Sequence, residues 1–525
     1  MARTSAAFPL RGAVLRLAGF ALAAATVRAA SVADVFAYGQ ETGWTFGGDG
    51  TPTTNAPPAP AVDAGGVARR PDPERSAFER ADAGRGVDAS PFLRWLEAER
   101  SVPGESAFAA GWDAGGVYVL SEHGSAVRCL KRYDVRTGAV EPLTPTNGAR
   151  DLLGPIWLPA GGAAGGPVLA GVGWRTESGT SNAWFDARMA AAERRLRASL
   201  PGARPEWIAA APDAPYRWLA VCRFADAPPA WTEVDADAGT VRVLSRFPGP
   251  VLPTVRRAVR FRASDGATLP CVLTIPAEGG PFPLAVFPHG GPGALSDETF
   301  DERAWALCRA GFAVLQPNYR GSVGLGNRFR LEGWGPEGIR RALDDIHESV
   351  QAALADPSLP LSDAPPVLFG GSWGGYCALE LLAEHPGFYA GAVSLFGAFD
   401  LPALVRSESA RLSADGGPEA TRELRALLRQ FGDPADPVAM ARLAALSPVA
   451  RADAIAAPVI LFHNRADAVI PFAQSETMFA ALTNRDARAS AHFRAGEGGH
   501  GFSAEAEARL YEELGPLLRS WTEQP

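Results

Sequence analysis

Between about Ala107 and Pro250 the apolar residues come in short runs, such as Val117-Tyr118-Val119-Leu120 and Trp218-Leu219-Ala220-Val221, each closed off by turn-forming residues. Runs of that length, punctuated by turn signals, predict an all-β segment. The pattern changes after Val255. Apolar runs at Leu284 to Phe287, Phe312 to Leu315, Val367 to Phe369, Val393 to Phe396 and Val459 to Phe462 alternate with helical stretches at Asp301 to Arg309, Ile339 to Leu354 and Tyr376 to His385. A last helix is predicted near Ala504 to Trp521. Apolar strands alternating with helices build a doubly wound, mostly parallel sheet covered on both faces. The expected class is therefore α/β, with an all-β domain in front.

Inside the all-β segment a faint repeat is visible. The run Asp134 to Thr144 aligns without gaps to Asp235 to Ser245, each reading as strand, turn and strand, and Phe185-Asp186 occupies the equivalent place between them. The three aspartates are 52 and 49 residues apart, close to the roughly 40–50 residues of a propeller blade. Three blades of a β-propeller are expected, the alternative being a β-sandwich whose hairpins happen to look alike. The expected divisions are a possible signal peptide or disordered start at 1–30, a loop-rich segment at 31–105, a partial β-propeller-like domain at 106–250 and the α/β domain at 251–525. Arg3, Arg11 and Arg16 precede the apolar stretch Leu17 to Val27, as in an export signal, but Arg28 interrupts the cleavage region. Localisation, cytoplasmic or exported to the periplasm or medium, is left open.

Composition narrows the function classes. Apolar residues make up 47% of the 525, enough for a large core, and the 57 Gly and 45 Pro favour loops over a helical bundle. Fifty basic against 58 acidic side chains give a formal charge of −8, so the basic field that nucleic acid requires is missing. No apolar run reaches the ~20 residues of a bilayer span. Neither nucleic acid nor membrane is an expected partner; an oligomer is compatible with the sequence. Cys129, Cys222, Cys271, Cys308 and Cys377 are odd in number and never spaced C-x-x-C, which argues against a disulfide framework or a zinc site. No metal and no cofactor is expected.

The chemistry concentrates after the strand Val367-Leu368-Phe369. There Gly370-Gly371-Ser372-Trp373-Gly374 forms a G-x-S-x-G turn, which lifts a serine above a sheet in a strained strand-to-helix bend, with a helix N-terminus aimed at the site. A serine nucleophile needs a base and an acid, in this topology following in the order acid, then histidine. His500, in the loop Gly498-Gly499-His500-Gly501-Phe502, is the expected base; His492 reads as a strand residue and His385 as the end of the nucleophile helix. Asp467 follows the strand Val459 to Phe462 by a short loop and precedes Pro471, so it is the expected acid, with Asp453 and Asp486 as competitors. His289-Gly290-Gly291-Pro292-Gly293 follows another strand end. Glycines there expose backbone N–H groups, and Gly291 and Trp373 are the expected oxyanion donors, with His289 bracing the loop.

Taken together, His289-Gly290-Gly291-Pro292, Asn318-Tyr319-Arg320-Gly321-Ser322, Gly370 to Tyr376, Asp467 with Pro471, and Gly499-His500-Gly501-Phe502 resemble the prolyl oligopeptidase family of serine peptidases. The resemblance is specific over roughly Val255 to Trp521. It implies an α/β-hydrolase domain behind a shortened β-propeller, and hydrolysis of oligopeptides through a Ser-His-Asp acyl-enzyme. Tyr376 and Phe396 are candidate substrate contacts. Two departures stand out: three blades fall short of the ~4–8 of closed propellers, and Val469 stands where many members carry Arg or Asn two residues after the catalytic Asp. An esterase or other acyl hydrolase on the same fold, and a catalytically silent binding protein, are the competing readings.

Overall fold

The computed structural model describes residues 88–99, 107–145, 151–158, 168–211, 214–246, 251–483 and 490–523, apart from positions 114 and 124. The expectations for 1–30, for most of 31–105 and for Asp486 fall outside these residues. Within the segment expected to be loop-rich, Ser90–Glu99 forms helix α1, which buries Phe92 and Leu96 against Val117, Val119 and Tyr133.

Three antiparallel meanders follow. The first is β1 (Ala107–Asp113), β2 (Gly116–Ser121), β3 (Cys129–Asp134) and β4 (Val140–Pro142); the second is β5 (Leu152–Leu158), β6 (Val168–Thr176) and β7 (Gly179–Trp184); the third is β8 (Arg204–Ala211), β9 (Ala214–Arg223), β10 (Ala230–Asp235) and β11 (Thr240–Ser245). In each sheet sequential strands are neighbours, as in propeller blades. The repeated aspartates end strands but do different work. Asp134 accepts from Thr137 N and Asp235 from Ala238 N, both at 2.8 Å, closing tight turns. Asp186 instead caps a helix, α2 (Ala187–Ser199), accepting from the N–H groups of Arg188 and Met189. The segment is therefore not all-β, because a side-chain cap and the alanine-rich run after it complete a helix where the other two units continue as a strand.

The large sheet has eight strands: β12 (Thr254–Arg262), β13 (Thr268–Pro276), β14 (Leu284–Val286), β15 (Ala313–Pro317), β16 (Val367–Gly371), β17 (Gly391–Leu395), β18 (Val459–Asn464) and β19 (Ala491–Gly496), in the order β12-β13-β15-β14-β16-β17-β18-β19. From β15 across to β19 every pairing is parallel. Helices α3 (Glu302–Arg309), α4 (Asn327–Leu331), α5 (Gly335–Ala355), α6 (Trp373–Glu384), α7 (Leu401–Asp415), α8 (Pro418–Phe431), α9 (Pro437–Ala445), α10 (Ala473–Thr483) and α11 (Ala504–Thr522) complete the α/β-hydrolase architecture. Side chains of a strand alternate between faces, so each central strand feeds two cores. Leu284, Val286, Leu315, Leu368, Val459 and Leu461 pack with α5 and α6, whereas Ala285, Val314, Val367, Phe369, Ile460 and Phe462 pack with α3 and α11.

The meanders are tied to the α/β-hydrolase region by charges that little water reaches. Glu122, after β2, pairs with Arg330 of α4 at 2.6 Å, with side chains 1% and 10% exposed. Asp151, before β5, accepts from the N–H groups of Gly324 and Gly326 at 2.8 and 3.3 Å.

One buried acid is compensated less completely. Glu380, on α6, is fully buried, and neither carboxyl oxygen has a hydrogen-bond partner among the described residues, although Arg451 lies 3.3 Å away. Burial pushes its carboxyl up to about 8 against the attraction of Arg451. A raised acid keeps in the folded state a proton that the unfolded chain has already released, so stability should fall as pH rises from about 5 to about 8. Glu380→Gln is expected to flatten that slope by on the order of a few kcal/mol, given ~1.4 kcal/mol per pKa unit. Thermal unfolding at a series of pH values checks this; an unchanged slope in the variant would assign it to other groups.

Candidate active site

Ser372 sits between β16 and α6 with φ 54 and ψ −123, a left-handed backbone that non-glycine residues rarely adopt. Its neighbours explain how the strain is held. A Cβ on Gly370 would lie 2.3 Å from Gly374 O, one on Gly374 would lie 2.2 Å from Pro288 O, and one on Gly375 would lie 2.4 Å from Ser394 Oγ. Backbone thus packs on backbone at Gly370 and Gly374, with the Ser394 hydroxyl against Gly375, and only glycine fits. Ser372 N–H donates to Leu395 O of β17 at 2.8 Å, anchoring the turn to the next strand.

The loop after β14 lies against this bend: a Cβ on Gly290 would meet Ser372 Cβ at 3.5 Å. Gly291 has φ 122, and a Cβ there would fall 2.5 Å from Gly293 N. Trp373 opens α6, where the first N–H groups have no partner inside the helix. His289 braces the loop, with Nδ1 2.8 Å from Gly290 O and Nε2 2.8 Å from Ser322 Oγ. Burial pushes its imidazole down to about 4. Ser322 belongs to the same 320–326 loop whose N–H groups Asp151 accepts, so a carboxylate of the meander region is linked through three short steps to the loop over Ser372.

Asp467 and His500 come together from the ends of β18 and β19. His500 Nδ1 lies 2.7 Å from Asp467 Oδ2. The other oxygen, Oδ1, accepts from the N–H groups of Val469 and Ile470 at 2.8 and 2.9 Å. Burial alone would raise the carboxyl, but hydrogen bonds from His463, His500 and Ile470 N–H outweigh it and hold the group well below the usual carboxylate range. Asn464 steadies the histidine loop, its Nδ2 donating to Gly499 O at 2.9 Å. Phe396 joins the two halves: its ring lies 3.3 Å from where a Cβ on Gly371 would sit, and its centroid is 4.6 Å from that of His500.

Tyr376 does not lie where a substrate contact belongs. It is fully buried, its hydroxyl donating to Leu446 O at 3.0 Å and its ring 4.4 Å from that of Trp373. The apolar run of α6 draws it into the core. Asp453 is exposed in a 3-10 turn, away from any strand end. Two residues without a role in the sequence reading enter the site, Asn464 and His463; the i,i+4 spacing of His463 and Asp467 was the available signal. Among the described residues no group of His, Cys, Asp and Glu could hold a metal ion, and no helix is long and apolar enough to cross a membrane. A cavity of about 410 Å³ opens instead in the meander region, lined by Trp157, Trp207 and Trp218, and their ring N–H groups are all taken by protein oxygens.

Residues 298–519 match the sequence profile of the prolyl oligopeptidase family. The α/β region is a prolyl oligopeptidase family domain. Curated relatives include dipeptidyl aminopeptidase BIII of Pseudoxanthomonas mexicana, 28% identical over 311 residues that cover 57% of this chain and 43% of the relative. The acylamino-acid-releasing enzyme of Homo sapiens is 27% identical over 214 residues, 39% of this chain and 26% of that enzyme. The chain thus spans less than half the length of these curated relatives. In structure it is similar to a puromycin-hydrolyzing peptidase of Mycobacterium tuberculosis, with a TM-score of 0.63 and 22% identity over 80% of this chain and 62% of that one. That likeness carries the fold.

The glycine packing is directly testable. Gly374→Ala places a methyl group against Pro288 O, which as backbone cannot swing aside, so a loss of about 1–3 kcal/mol or more is expected from overpacking. A melting temperature equal to that of the parent protein would contradict the packing described for the bend.

Proposed function

We propose that the chain is a serine peptidase that hydrolyses peptide bonds in oligopeptides through an acyl-enzyme on Ser372. Ser372 Oγ attacks the scissile carbonyl carbon while His500 Nε2 takes the hydroxyl proton. The C–N bond then breaks as the imidazolium returns that proton to the leaving amine, and a water deprotonated by the same imidazole hydrolyses the ester. Asp467, held ionised by its donors, keeps Nδ1 protonated and stabilises the imidazolium without taking the proton. The N–H groups of Gly291 and Trp373 are the proposed oxyanion donors, and Phe396 the proposed contact for the substrate's acyl side.

The observation that carries this reading is the 2.7 Å contact of His500 with Asp467, with the Phe396 ring packed between His500 and the turn that holds Ser372 in left-handed backbone. Strain of that kind costs on the order of 1–3 kcal/mol and persists where a reacting group must be presented. The names of the relatives, an aminopeptidase and an acylamino-acid-releasing enzyme, support a substrate with an amide bond near a peptide N-terminus. One feature favours ester hydrolysis as a second reading. Val469 is 46% exposed and offers no side-chain donor to hold a peptide carbonyl, and an activated ester depends less on such anchoring.

Ser372→Ala is expected to lower kcat by several orders of magnitude with the fold retained, leaving the ~10³–10⁴-fold over water that remains when triad members are removed. Asp467→Asn should cost about 10⁴ in kcat by favouring the wrong tautomer of His500. Steady-state turnover of a peptide anilide and a nitrophenyl ester by both variants checks these values; an alanine variant that keeps most of its activity sinks the reading. Val469→Arg should lower KM for peptides by about tenfold, the worth of a charged hydrogen bond, and leave KM for simple esters unchanged. Equal KM values for peptides before and after the change would remove Val469 from the account.

A further inference from the structure

His463 is fully buried at the end of β18, and nothing in the acyl-transfer scheme uses it. Its Nε2 lies 3.0 Å from Ile470 O and 3.3 Å from Asp467 Oδ2, and its Nδ1 lies 2.8 Å from Ser475 Oγ on α10. A carbonyl and an ionised carboxylate only accept, so Nε2 carries a hydrogen and shares it between the two. Ser475, itself 1% exposed, supplies a hydroxyl that can donate to Nδ1. The ring therefore clamps three pieces of chain: the strand end, the turn that bears Asp467, and the first turn of α10.

The consequence lies on the carboxylate. An ionised carboxylate offers about four acceptor directions. Here two backbone N–H groups fill Oδ1, and His500 and His463 approach Oδ2. From this we infer that His463 is a positioning residue for His500: its N–H stops the Asp467 carboxylate from rotating and fixes the direction in which Oδ2 meets Nδ1 of His500. The inference rests on the triad reading proposed above. A histidine that merely filled the core would stabilise the fold without acting on turnover, and this difference is measurable.

The experiment compares His463→Phe, which keeps a planar ring and loses the donor, with His463→Gln, whose amide N–H reaches a similar point. Turnover of the peptide anilide and the nitrophenyl ester is measured with the melting temperature and the far-downfield proton resonance of the His500–Asp467 hydrogen bond. His463→Phe should lower kcat about 10- to 100-fold, the worth of one hydrogen bond to a charged group, with KM unchanged and the resonance shifted or broadened. His463→Gln should recover most of the lost kcat. If the phenylalanine protein does not fold, Ser475→Ala, which frees the ring from its other anchor, should lower kcat in the same direction with KM held. Parental kcat in His463→Phe or Ser475→Ala, or equal losses in Phe and Gln that follow melting temperature alone, would overturn the inference while leaving the triad reading intact. Failure of that reading is distinguished with Ser372→Ala: turnover that survives this change removes the triad, and the role of His463 with it.

Discussion

The left-handed backbone of Ser372 is the constraint on which the rest of the site depends. A serine does not rest there unless its surroundings leave no alternative. Those surroundings are backbone: Pro288 O against Gly374, Gly374 O against Gly370, and the hydrogen bond from Ser372 to Leu395 on the neighbouring strand. Parallel strands bring these groups to one edge of the sheet, and the glycines let the strand-to-helix turn close without a side chain in the way. The same packing fixes the 288–291 loop over the serine, so the proposed nucleophile and the proposed oxyanion donors are set by one arrangement.

A second layer of order comes from carboxylates that are fully occupied. Asp467 is held by the 467–470 turn and by two imidazoles, and hydrogen bonding wins over burial in keeping it ionised. Asp151 accepts from Arg128 N as well as from Gly324 and Gly326, fastening the meander region to the loop that carries Ser322. Glu380 marks the contrast: more deeply buried and without hydrogen-bonded partners, it is driven toward its neutral form.

The parts of this molecule that were legible in the sequence are those in which residue identity is itself the geometric requirement. Gly370, Gly374 and Gly375 around Ser372 announce the bend, since no other residue fits it, and the apolar strands announce the central sheet. The meanders were visible through Asp134 and Asp235, yet Asp186 looked the same and begins a helix, because a strand-end aspartate closes a turn or caps a helix equally well. Tyr376, four residues after Ser372, was a candidate substrate contact, and the direction of its side chain belongs to α6 and not to the motif. His463, at the end of an apolar strand, carries no local signal of its role. Its partners, Asp467, Ile470 and Ser475, become partners only when the turn folds back against the strand end. Contacts such as Glu122 with Arg330 join residues about two hundred positions apart, and no local pattern carries them.

The strained serine is proposed to be a nucleophile activated by the His500–Asp467 pair. Covalent labelling with a serine-directed phosphonate, followed by peptide mapping by mass spectrometry, tests it most directly. One adduct per chain is expected, on the peptide that contains Ser372, with its disappearance in His500→Gln. An unlabelled protein, or an adduct on any other serine, would contradict it.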